Sequence, residues 1–147
     1  AHYQAGNYTT SDSIFTLYEQ KYPTEVYGPL WRAKSNQAMD TTMEKGLAVP
    51  HYQNFVKVAK AADSVKYKPQ IVSALFYLAS YSNDIKKDKD AAIDYLTQVT
   101  QIDPANEQAP KFIQILSKPA KSSTPATKPK ASGNAAGGGS SKSSGGK

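Results

Sequence analysis

The sequence contains no cysteine, which excludes a disulfide framework, a thiolate nucleophile, an iron–sulfur cluster and any cysteine-ligated zinc. Histidine is almost as scarce: only His2 and His51 are present, too few for an imidazole-based metal centre. Long apolar runs are missing too. The stretch Ala74-Leu75-Phe76-Tyr77-Leu78-Ala79 is well short of the roughly 20 residues a membrane-spanning helix needs. Acid is absent from the C-terminal part. Every Asp and Glu precedes residue 118, whereas 118–147 carries six lysines, equal to the whole formal net charge of +6. The body of the chain is therefore electrically balanced, and a basic nucleic-acid-binding domain is not implied.

What is present divides into two parts. From Lys118 onward, Pro119, Pro125 and Pro129 alternate with Lys, Ser, Thr and Ala, followed by Gly137-Gly138-Gly139. This segment has no large apolar residue to offset a backbone entropy cost of roughly 1–2 kcal/mol per residue, so 118–147 is expected to be a disordered Lys/Ser/Gly/Pro-rich tail. With bare charge and no Arg or aromatic residue, it would offer at most a weak contact to a polyanion such as an acidic membrane.

Residues 1–117 carry helical periodicity nearly throughout. Tyr8, Ser11, Phe15, Tyr18 and Tyr22 step by three or four, and so do Ala92, Leu96, Val99 and Ile102. The two stretches repeat one pattern: Ser11, Phe15, Tyr18 and Pro23 align with Ala92, Leu96, Val99 and Pro104. Helices are expected near 1–4, 7–22, 26–39, 47–61, 66–86, 89–102 and 107–117. Pro23, Gly46 and Pro104 act as stops or turns, and Ser64 and Asn106 as N-caps. Pro50 and Pro110 fall in first turns, where backbone N–H groups have no intrahelical partner. Phe112 and Leu116 give the last helix an apolar face suited to capping a stack.

A small residue followed by a large apolar one four later, with proline twelve after the small one, resembles the second helix of a tetratricopeptide repeat. Asp90-Ala91-Ala92-Ile93-Asp94-Tyr95-Leu96, running to Ile102-Asp103-Pro104, is the fullest match. Gly6-Asn7-Tyr8 through Phe15 to Pro23 is a second. Gly46-Leu47-Ala48 with Tyr52 and Phe55 is a third, with Lys60 where the pattern has proline. Leu75 to Ser80 and Pro29 to Ala33 read as the matching first helices. They lack the family's glycine, and Asn36 and Asn83 stand where an aromatic is usual. The resemblance implies an all-α fold of stacked antiparallel helix pairs, a tetratricopeptide-like α-solenoid of bacterial type. Its expected parts are a partial repeat at 1–25, a repeat with insertions at 26–72, a third at 73–106 and a capping helix at 107–117. The insertions are placed in the Asp40–Gly46 turn and in 63–72, where they lengthen the next first helix. A first helix reduced to Ala1–Gln4 leads us to expect the C-terminal part of a longer array.

In this family the first helix of each pair lines a concave groove. Carried onto this chain, the peptide-binding groove comprises Tyr27, Leu30, Lys34 and Gln37, then Tyr77, Tyr81 and Asp84, with Tyr3 and Gln4 contributing. Tyr18, Tyr52, Tyr95 and Trp31 are assigned to helix packing. The expected function is a non-catalytic interaction module for a protein or peptide partner. The alternative is a structural array held on an anionic surface by the tail. Only Lys34 stands out as a groove cation, so a clamp for a C-terminal carboxylate is not expected.

No other chemistry is indicated. Asp84, Asp88, Asp90 and Asp94 lack the alternation, central glycine and closing Glu of a calcium loop, and Lys86, Lys87 and Lys89 offset their charge. No phosphate-binding glycine loop precedes a helix and no nucleophile elbow appears. No enzyme activity, cofactor or metal is expected, nor a specific nucleic-acid partner. The resemblance to Tyr- and Lys-rich bacterial repeats favours the periplasm or cell envelope over the cytoplasm.

Overall fold

The computed structural model describes residues 2–119, so the expected disorder of the tail, apart from its first two residues, lies outside the described residues. Among the described residues six helices follow one another: α1 (Tyr8–Lys21), α2 (Tyr27–Met39), α3 (Val49–Asp63), α4 (Lys68–Ser80), α5 (Lys89–Ile102) and α6 (Gln108–Ser117). A π-helical turn, Tyr81–Ile85, extends α4. Among the described residues there is no strand and no helix long and apolar enough to cross a membrane.

Local chemistry sets the helix ends. Tyr22 and Asp103 each precede a proline, whose ring disfavours the helical conformation in the residue before it. Both leave the helix with φ of −132°, and ψ of 69° and 81° respectively. The aligned residues of the two repeats thus share one exit geometry. Asp88 caps α5 by accepting from the Ala91 N–H at 3.0 Å, and Asp90 adds negative charge at the positive end of the helix dipole. The Asn106 carboxamide accepts from the N–H groups of Gln108 and Ala109, both at 3.1 Å, and so caps α6.

Three expectations are corrected. Residues 2–6 form turns rather than a helix, closed by Gly6 at φ +78°. Four residues are too few to repay helix nucleation, and here Tyr3 is held by packing on Tyr8 and Trp31 instead. Ser64 does not cap α4. It ends α3, and the Asp63 carboxylate instead turns the chain by accepting from the N–H groups of Val65 and Lys66. The helix expected from 66 starts at Lys68 and passes into the π-helical turn after Ser80.

Helices pack in chain order, each on the one before and after. Contacts between alternate helices sort them into two layers. In one, Asn54 of α3 hydrogen-bonds Glu19 of α1, and Gln53 and Lys60 of α3 reach Tyr95 and Gln98 of α5. In the other, α2 and α4 flank a common cleft, and Phe76 of α4 meets Phe112 of α6 edge-on at 6.3 Å. The core runs along the seam: Ala33, Phe55, Ala59, Ile71, Leu75, Ala92 and Val99 are fully buried. Small residues mark the closest approaches. Ser11 and Ala92, equivalent in the repeat, are both buried. The Ser35 hydroxyl donates to that of Ser11 at 2.9 Å across the α1–α2 seam. A Cβ on Gly28 would stand 3.0 Å from the Glu19 Cβ, so glycine sets how near these two helices come.

Candidate peptide-binding cleft

The layer of first helices carries a cleft of about 480 Å³, lined by Tyr3, Trp31, Lys34, Gln37, Ala38, Thr41, Tyr52 and Ser73. Its floor is aromatic. Trp31 stacks nearly parallel on Phe15 (centroids 5.9 Å apart, planes at 13°), while Tyr3 meets it edge-on at 5.1 Å. Helical spacing brings Lys34 one turn beyond Trp31, and its Nζ stands over the indole at 4.6 Å from the ring centroid. One further turn along lies Gln37, whose side-chain oxygen accepts from the Tyr52 hydroxyl. Tyr52 itself is buried and packs on Tyr77 at 4.7 Å. Burial and the neighbouring Tyr77 push the Tyr52 phenol up to about 12, so it is a proton donor at any physiological pH.

The other groove candidates are spread more widely. Tyr27 is exposed at the start of α2, and Leu30 is buried in the core. Tyr77 is 7 % exposed, and its hydroxyl is the one buried side-chain polar atom without a partner among the described residues. Its pKa is raised, first by burial and then by the nearby Asp40 carboxylate. Tyr81 is half-buried in the π-helical turn, its ring laid over Gly46. Asp84 is exposed and accepts from Asn83 at 2.6 Å. With Phe76, Leu96 and Phe112 it borders a smaller hollow of about 140 Å³ between α4, α5 and α6. Gln4 belongs to a different hollow, beside α1.

The structure therefore gathers Lys34 and Gln37 with Tyr3, sets Tyr77 beneath them against Tyr52, and leaves Tyr81 over Gly46. It adds Thr41 and Ser73, and it brings to the cleft Trp31 and Tyr52, which the sequence assigns to helix packing. A signal for Trp31 was available, since Lys34 follows it at i+3, the spacing that places a cation over an aromatic on one helix face.

An ionic cluster also joins α2 to α1. Arg32 pairs with Asp12 at 3.2 Å and with Glu19 at 3.0 Å. Asn36 donates to Asp12 at 2.7 Å, so where the repeat usually has an aromatic this chain uses a polar link to α1. Among the described residues no cluster of His, Asp and Glu is placed to hold a metal ion.

No family model and no curated protein matches the chain. Among solved structures, it is similar to the crystal structure of the C-terminal part of a TPR repeat-containing protein from Cytophaga hutchinsonii. The two share 32 % identity with a TM-score of 0.69 over 76 % of this chain. The match spans 43 % of that protein's chain, less than half its length. Identity and superposition agree with the repeated Ser11/Ala92 to Pro23/Pro104 pattern, the matched helix exits and the two-layer packing. The chain has a tetratricopeptide-like repeat fold, an all-α stack of antiparallel helix pairs among the described residues.

Proposed function

We propose that this chain is a non-catalytic interaction module that takes a peptide segment of a partner protein into the cleft between α2 and α4. The observation that carries this reading is the cleft itself. An aromatic floor, a cation and several hydroxyl and amide groups converge on one side of a rigid stack. Such a surface offers large apolar area at little torsional cost, with polar groups to orient a bound chain. Leu30 and Tyr77 lie in the core beneath, whereas Tyr27, Tyr81 and Asp84 lie outside the cleft lining. The polar groups at hand are hydrogen-bonding and ion-pairing groups rather than a nucleophile–base pair.

Photo-crosslinking in the source cell tests this. A photoreactive side chain at Ser73, on the cleft wall, is expected to capture a partner protein. The same group at Gln53, on the opposite layer, is expected to capture none. Equal capture from both positions, or capture from Gln53 alone, would place the interaction elsewhere.

A further inference from the structure

We infer that the occupant of this cleft is an extended peptide carrying an acidic side chain, and that this side chain is read by Lys34 and Gln37; the inference rests on the cleft reading above. Three observations bear on it. First, Lys34 is unpaired. Among the described residues the other ion pairs satisfy Arg32, Lys68 and Lys111, and Lys34 joins none. No Asp or Glu lines the cleft, and the residues beyond 119 contain neither. Second, Lys34 is held in place. Its ammonium rests on the Trp31 indole, which is itself fixed between Phe15 and Tyr3. A cation fixed beside aromatic walls is partly shielded from water, and its attraction for an anion is stronger there than on an open surface.

Third, the neighbouring groups present donors. The Tyr52 hydroxyl donates to the Gln37 side-chain oxygen, which leaves the Gln37 NH2 group to face a ligand. The burial that raises the Tyr52 pKa keeps that hydroxyl protonated and the amide oriented. Thr41 and Ser73 add hydroxyl groups that can donate. A site rich in donors and empty of carboxylates is complementary to a carboxylate. A single fixed cation suits one acidic side chain within a peptide, since the terminal carboxylate adds a second demand for charge that the lining does not meet.

Selection from a displayed library of random dodecapeptides, screened on the full chain, tests the inference. The chain's single tryptophan, Trp31, lines the cleft and also the hollow beside α1, so its fluorescence responds to occupancy of the cleft and the Lys34 variants assign the response to it. Selected peptides, resynthesised with acetylated N-termini and amidated C-termini, are expected to hold Asp or Glu at one fixed position and to perturb Trp31 emission. Replacing that acid by its amide is expected to weaken binding about tenfold, the effect of losing one charge-assisted contact. Lys34→Gln is expected to weaken it similarly, while Lys34→Arg retains it. Peptides that perturb Trp31 but carry no acid, or that bind Lys34→Gln unchanged, overturn the acidic preference and leave the cleft reading intact. Selected peptides that leave Trp31 unperturbed, or a selection that enriches none, overturn both.

Discussion

Gly46 shows how one position is fixed by two demands. Its φ of +66° is a conformation L side chains adopt at a cost, and a Cβ there would lie 2.5 Å from the Tyr81 hydroxyl oxygen. Gly46→Ala is expected to destabilise the protein by about 1–2 kcal/mol from backbone strain alone, and to displace Tyr81 as well. Urea unfolding of the variant checks the first effect; the second should appear as altered chemical shifts in the π-helical turn. Tyr52 makes a different prediction. Its pKa is raised to about 12 from an ordinary value near 10. The folded state thus holds the phenolic proton more tightly than the unfolded chain does. That stabilisation is fully present below about pH 10 and is lost as pH rises through 12. Tyr52→Phe should flatten the alkaline loss of stability, measured by denaturant unfolding at pH 8 and pH 11. The sequence marked Gly46 as a turn but gave no sign of Tyr81 above it, because that contact joins distant parts of the chain.

The helices were far more legible than their accessories. The apolar stripe of α5 places it at 89–102, where it is found, since capping by Asp88 and the stop at Pro104 are both local. The first-helix stub at 1–4 was misread because four residues have no periodicity to test, and the Trp31 contact that holds them is tertiary. The widening of α4 after Ser80 has no signature in apolar spacing. The ionic cluster was also hidden: Asp12, Glu19, Arg32 and Asn36 sit on two helices whose facing register the sequence alone does not give. That cluster joins α1 to α2 through half-buried groups. Arg32→Ala leaves the Asp12 and Glu19 carboxylates without their cation. It is expected to cost about 1–3 kcal/mol, and Asp12→Asn in the same background should recover part of it, measured as a double-mutant cycle by thermal unfolding.

The stack as a whole holds together through neighbouring helices, whose buried residues form one core along the seam. Phe55 of α3 is fully buried where α3 meets its neighbours. Phe55→Ala is expected to destabilise the chain by about 3–5 kcal/mol, with Trp31 fluorescence and far-ultraviolet circular dichroism shifting together if the described pairs unfold as one unit. The fold class followed from periodicity and proline spacing, which are properties of every repeat. The cleft did not follow in the same detail. Which residues of α2 and α4 share the cleft depends on how each packs against α3 between them, and no local pattern encodes that. Lys34 and Gln37 are expected from the repeat family's groove positions on one helix and do line the cleft; Ser73 and Tyr52 come from other helices, and their place in it is set by tertiary packing. The most direct measurement is an amide chemical-shift map of the uniformly labelled chain titrated with a selected peptide. Our account has the shifts gathered at Tyr3, Trp31, Lys34, Gln37 and Ser73; shifts gathered instead at Gln53, Lys57 and Gln98 on the opposite layer would contradict it.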